Sequence, residues 1–202
     1  MATLTDEIAA TAARMVVEEG LEYGPAKRRA ARDLGRRSGR QGELPPNEQV
    51  EDEVRDYIAL FCADTQPVEL SALRRQAACW LERLVEFRPH LTGAVWRGTA
   101  TRLSPIVIDL YCDDPKAPEI ALLNLGLAFD SDSASGSETV VLTLTDRCPG
   151  LGGEPVTLHC VVRDHDELRG ALKPDAQGRS WRGNLAALRQ RNHRVEYLRF
   201  EN

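Results

Sequence analysis

TGAVWRGTATRLSPIVIDLYCDD, Thr92 to Asp114, reads as a strand, a glycine turn, a second strand and a short acidic end. The first strand is the apolar run Gly93-Ala94-Val95-Trp96, the turn is Gly98-Thr99, and the second strand begins near Ser104. Strand side chains alternate faces with a period of two. Ile106, Ile108 and Leu110 therefore form one wholly aliphatic face, the expected core, while Val107, Asp109 and Tyr111 line the other. The short connection through Gly98 sets the strands Thr92 to Trp96 and Ile106 to Tyr111 side by side in one mixed sheet.

Two carboxylates in an Asp-x-Asp spacing on such a strand point the same way and can hold the divalent ions that bridge phosphate oxygens. The hairpin resembles the nucleotidyltransferase superfamily, in which a Gly-Ser or Gly-Gly turn lets the backbone approach a nucleotide's phosphates before an Asp-x-Asp strand. Gly98, Thr99, Ser104 and Asp109 are the residues that can be matched to it. The resemblance implies an α/β domain with a mixed sheet, nucleotide binding at Gly98, Thr99 and Ser104, and magnesium at the carboxylates.

Where the superfamily has Ser-Asp-Ile-Asp, this chain has Ser104-Pro105-Ile106-Val107, so both metal positions are lost. Asp109 stands on the right face but one repeat late, about 6 to 7 Å along the strand from Val107. Two-metal sites place their ions about 3.5 to 4 Å apart, closer than Asp109 and Asp113 can serve. Two readings of Asp109 remain: a residual metal or nucleotide ligand assisted by Asp113, or a polar residue on the less buried face of a sheet.

Before this stretch the pattern is helical, which sets a helical region at 1–90 ahead of an α/β domain at 91–202. Ile8, Ala12, Met15 and Val16 share a helical period that Gly20 ends, and Pro25 opens a second helix, Ala26 to Leu34. Asn47 can cap a third, striped by Val50, Val54, Tyr57, Ile58 and Phe61. A fourth runs from Val68 to Phe87, with Leu70, Leu73, Ala77, Trp80, Leu81 and Leu84 inward. Beyond the hairpin, Pro118 to Leu125 reads as a helix, Thr139 to Thr145 and Val156 to Val162 as strands, and Ser131 to Ser137 as an exposed loop or hairpin end. Two short helices, Asp166 to Leu172 and Asn184 to Gln190, close the pattern.

With 42% apolar and 28% charged residues over 202 positions, the composition is that of an ordinary globular protein. No run approaches the roughly eighteen apolar residues of a membrane span, and the N-terminus carries acids where a signal peptide carries bases. A cytoplasmic protein with no membrane partner is expected. The five cysteines form no C-x-x-C pair and read as small buried hydrophobes.

The strand Val156 to Val162 would supply a third carboxylate in an active nucleotidyltransferase, and it offers Thr157 and His159 instead. His159 has two readings, a proton shuttle or phosphate ligand, and a hydrogen-bonded structural residue. The cluster Arg163-Asp164-His165-Asp166-Glu167 fits a strand-to-helix turn with an acidic cap. Lys27, Arg28, Arg29, Arg32, Arg36, Arg37 and Arg40 form a basic stretch broken only by Asp33, the C-terminal segment adds Arg179, Arg182, Arg189, Arg191, Arg194 and Arg199, and such patches can neutralise phosphates of RNA or DNA. On a helix Arg28 and Arg32 stack one turn apart, which makes them the nucleic-acid-binding candidates. The net charge of −5 argues against a dedicated high-affinity nucleic-acid binder.

The phrases VVEEGLEYGPAKRRAARDLG, VRDYIALFCADTQP, GTATRLSPIVIDLYCDDPKAPEIALLN and DHDELRGALKPDAQGR together resemble a family of small uncharacterised beta-proteobacterial proteins, often labelled UDP-N-acetylmuramate–alanine ligases. The only lysines, Lys27, Lys116 and Lys173, sit in no Gly-Lys-Ser/Thr loop that would hold ATP phosphates. The expectation is an N-terminal helical region on a nucleotidyltransferase-like mixed-sheet domain, catalytically degenerate and binding a nucleotide or RNA in a regulatory role. Two alternatives stand beside it: an active metal-dependent nucleotidyltransferase using Asp109, Asp113 and His159, and a protein-interaction module presenting the Trp80 and Phe87 helix.

Overall fold

A computed structural model describes residues 3–35, 44–133, 139–174 and 178–200. It is a mixed α/β fold, with eight helices and a five-stranded sheet among the described residues. The chain divides into two compact units, one of Met1–Val68 with Thr99–Ser104 and one of Glu69–Gly98 with Pro105–Asn202. The division therefore falls earlier than residue 90, because the fourth helix clusters with the sheet.

The first unit is built by α1 (Leu4–Glu19), α2 (Tyr23–Asp33) and α3 (Asn47–Phe61). The Thr3 hydroxyl accepts from the Asp6 N–H while the Asp6 carboxylate accepts from the Thr3 N–H, a reciprocal cap that satisfies the free donors of the first turn. Gly20 ends α1 in the left-handed region at φ 71, and a Cβ there would lie 3.0 Å from the Leu103 carbonyl oxygen. The core joins Ile8, Met15, Val50, Val54 and Ile58 through alanines, Ala9, Ala12, Ala26 and Ala30, whose small side chains let the helices approach closely. Asn47 is the first residue of α3 rather than its cap, which is Pro46, and its side chain accepts from Lys27 Nζ at 2.7 Å.

In the second unit the sheet order is β1 (His90–Thr92), β2 (Ile106–Cys112), β5 (Glu154–Asp164), β4 (Val140–Cys148) and β3 (Asp130–Ser133). β2 and β5 run parallel and the other pairs are antiparallel. One face carries Ile106, Ile108, Leu110, Leu158, Cys160, Leu142 and Leu144, all buried. The fourth helix, α4 (Gln66–Arg83), covers this face: Trp80 Nε1 and Gln76 Nε2 both donate to Asp146, and Cys148 Sγ reaches the Ala72 carbonyl. Trp80 and Phe87 are thereby buried, so they present no surface to a protein partner. Burial also holds the Cys160 thiol up at about 12. α4 ends at Arg83, and Val85–Phe87 is a separate 3-10 turn.

The expected strand Gly93 to Trp96 is a helix, α5 (Gly93–Arg97). Gly93 at φ 69 breaks the extension after Thr92, and Gly98 at φ 89 closes the helix in the left-handed region. Val95 and Trp96 are both buried. Of the strand expected at Thr92 to Trp96 only Thr92 is extended: the strand beside β2 is His90–Thr92, which pairs antiparallel with Val107–Asp109. The Ser131 to Ser137 loop is strand β3 as far as Ser133, and the rest lies outside the described residues. The remaining helices are α6 (Ala117–Asn124), α7 (Glu167–Ala171) and α8 (Leu185–Phe200). No helix among the described residues is long and apolar enough to cross a membrane.

Candidate functional site

The second face of the sheet carries polar groups where the first carries hydrocarbon. Register places His90 beside Asp109 and Asp109 beside Val161, while Thr92, Val107, His159 and Thr143 form the next row and Tyr111 pairs with Arg163. Paired residues point to the same side of a sheet. Asp109 accordingly sits in the middle of this face and is only 1% exposed, which overturns the less buried position expected from alternation.

A carboxylate so deeply placed needs partners, since burying an unpaired charge is strongly unfavourable. Arg163 Nε donates to Asp109 Oδ1 at 2.8 Å and Arg182 Nη1 donates to Oδ2 at 2.6 Å. Arg182 Nη1 also donates to the Tyr111 hydroxyl at 2.6 Å, and the Arg182 Nε is buried without a hydrogen-bond partner. Arg163 reaches outward to Glu167 at 3.5 Å. The two guanidinium side chains remain 28% and 20% exposed, Arg163 and Arg182 respectively. Burial works against the Arg163 charge, but the hydrogen bond and charge of Asp109 outweigh it and hold its pKa above the ordinary value. Burial, followed by the Asp109 charge, raises the Tyr111 phenol.

His90 closes the β1 side of the cluster. Its Nδ1 lies 2.8 Å from the Arg88 carbonyl and its ring meets Tyr111 edge-on at 5.5 Å. Burial pushes the imidazole pKa below its usual value, against a smaller opposing effect of the Arg88 carbonyl.

Arg182 is delivered by a strap, Ser180 to Gly183, laid on the outer edge of β1. Leu91 and Gly183 exchange backbone hydrogen bonds, Thr92 Oγ1 donates to the Trp181 carbonyl, and Trp96 Nε1 donates to the Ser180 carbonyl. A Cβ on Gly183 would lie 2.1 Å from the Trp96 ring, so only glycine lets the strap approach. Arg74 secures α5 from beneath, its Nε donating to the Val95 carbonyl, and burial together with Arg191 lowers its pKa to about 10.

Gly98 caps α5 instead of turning between two strands, with Arg74 beside it, and Thr99 and Ser104 fall in the other unit. Ser104 Oγ accepts from the Thr101 N–H, a local loop bond. The three therefore do not form the expected nucleotide-binding turn. His159 shares a sheet face with Asp109, and its Nδ1 lies 3.0 Å from Thr143 Oγ1. The Asp113 side chain is 94% exposed past the end of β2, with His165 Nδ1 3.8 Å away. Asp109 and Asp113 thus do not converge on a magnesium ion, and no group of three His, Cys, Asp or Glu suited to a metal occurs among the described residues.

Arg28 and Arg32 are exposed on α2, one turn apart as expected. Arg36, Arg37 and Arg40 lie outside the described residues. Sequence reasoning missed the pairing of Arg163 and Arg182 with Asp109. The available signal was the lone acid in an otherwise apolar strand, which demanded cations from elsewhere. No protein-family model matches the chain, and no curated protein matches it.

Proposed function

We propose that this is a nucleotidyltransferase-like protein without nucleotidyl transfer, binding a nucleotide in a regulatory role on the polar face of its sheet. The observation that carries the reading is the capture of Asp109 by Arg163 and Arg182. A carboxylate with both oxygens committed to guanidinium groups has little capacity left for a metal ion, and the two positive charges repel one. Pro105 and Val107 stand where the superfamily's carboxylates would be, so no second acid restores the balance. The face keeps what recognition needs, namely partly exposed guanidinium donors, half-buried apolar surface at Val107 and Val161, and a histidine.

The test pairs a binding assay with a turnover assay, using the four nucleoside triphosphates with magnesium or manganese. Binding with no pyrophosphate release is the expected outcome. Turnover that disappears in Asp109→Asn would establish an active metal-dependent enzyme and overturn the proposal.

A further inference from the structure

We infer that Arg163 and Arg182 bind the phosphate of a nucleoside monophosphate directly, with no divalent ion, while Asp109 serves as the internal counter-ion that holds the two guanidinium groups in register. The inference rests on the nucleotide-binding reading above and narrows it to a ligand class and a chemistry.

Asp109 engages only Nε of Arg163 and Nη1 of Arg182. A guanidinium presents five N–H donors in a rigid fork that matches phosphate oxygens, so each side chain keeps donors beyond the ion pair. One of them, the Arg182 Nε, is already desolvated and unsatisfied. That atom is closed off from solvent, so the phosphate contacts fall to the solvent-facing donors of the two side chains, which are 28% and 20% exposed for Arg163 and Arg182 respectively.

The charge balance points the same way. Two cations face one buried anion, and the second acid, Glu167, touches Arg163 at 3.5 Å with a side chain that is 53% exposed and free to turn into solvent. A single phosphate group complements the remaining positive charge. A triphosphate would bring further negative charge against one remaining positive charge, so a monophosphate is the better-matched ligand. Val161, between Arg163 and His159 on β5, and Val107, beside His159 on β2, supply apolar surface for a base.

Calorimetric titration of the full chain with AMP, GMP, CMP, UMP and inorganic phosphate, in EDTA and in magnesium, tests this. At least one monophosphate should bind with the same affinity within about twofold in both buffers, and inorganic phosphate should compete with it. Loss of a charge-assisted hydrogen bond in Arg163→Gln should weaken binding by about tenfold or more. Asp109→Asn, which removes the counter-ion that holds the two guanidinium groups in register, should weaken monophosphate binding without making it depend on magnesium.

Nucleotide binding that vanishes in EDTA, or that Arg163→Gln leaves unchanged, overturns the inference and leaves the nucleotide-binding reading standing. Phosphate binding that depends on Arg163 without any nucleotide binding supports the anion site and overturns that reading. The absence of both overturns both. The EDTA arm uses the native chain and so decides the question even where a variant fails to fold.

Discussion

Replacing Arg182 with alanine tests the energetic core of the site. The change removes the 2.6 Å bond to Asp109 and the 2.6 Å bond to the Tyr111 hydroxyl at one stroke. A hydrogen bond to a charged group contributes about 1.5 to 3 kcal/mol, and a buried hydroxyl left unsatisfied costs about 1 to 3 kcal/mol. Two effects reduce the sum. Asp109 keeps Arg163, and the space vacated by a side chain already 20% exposed admits water. The expected loss is therefore about 3 kcal/mol, the lower end of what breaking a buried pair costs. Arg163→Ala removes one bond to Asp109 and strands no second buried group, so its loss should be nearer 1 to 2 kcal/mol.

Urea unfolding followed by tryptophan fluorescence reads this well, because Trp80, Trp96 and Trp181 all belong to the unit that contains the cluster. Arg182→Ala should unfold roughly 6 to 12 °C below the native chain in a thermal scan. An Arg182→Ala protein within about 0.5 kcal/mol of the native one, or an Arg163→Ala loss exceeding it, would refute the reasoning. The replacement Asp109→Leu with Arg163→Met and Arg182→Met gives a complementary result. Removing a buried ion cluster entirely is often neutral or stabilising by about 1 to 4 kcal/mol. A stable triple variant that no longer binds phosphate would show that the cluster serves recognition more than stability.

Gly183→Ala should destabilise the same unit by about 2 kcal/mol or more, since the added methyl meets the Trp96 ring at 2.1 Å, and a native melting temperature would contradict the close approach. Burial lowers the His90 pKa, so between its folded value and the unfolded value near 6.5 the native state binds fewer protons than the unfolded chain. Stability from this group is present above that unfolded value and drains away as pH falls through the folded one, and His90→Gln should flatten the slope in urea titrations from pH 7.5 down to 5. If α2 contacts nucleic acid, changing exposed Arg28 and Arg32 to Glu should remove about 1.4 to 1.8 units from the slope of log K against log salt, each phosphate contributing about 0.7 to 0.9. Filter binding with no affinity at low salt would return that pair to a solvated helix face.

The elements read most cleanly from sequence were those whose burial follows a single period. Ile106, Ile108 and Leu110 are core because their alternation matches one face of the sheet, although Asp109 and Tyr111 on the other face are buried as well. Ile8, Met15, Val50 and Val54 mark helix faces for the same reason at the helical period. The misreading at Gly93 to Trp96 has a definite cause. A short apolar run fits a strand or a single buried helical turn equally well, and what decides is a glycine conformation and the Trp96 bond to Ser180, a residue 84 positions away. Long-range contacts of that kind leave no periodic trace.

The site was half legible for a related reason. Asp109 stands out in its strand, so its importance could be read locally, but its role depended on charge supplied from β5 and from the Ser180 to Gly183 strap. Arg163 sat in a run of mixed charge that also fits a capped turn, and Arg182 was one arginine among several near the C-terminus. Chain spacing alone suggested Asp113, four residues along, as the companion of Asp109, yet a strand that ends at Cys112 releases the next residues into solvent. Three-dimensional pairing replaced a carboxylate partner with two guanidinium partners and reversed the sign of the site. Where chain spacing suggested a pair of carboxylates, two guanidinium groups face one buried carboxylate, and that reversal separates the metal-dependent and metal-free readings in the EDTA experiment.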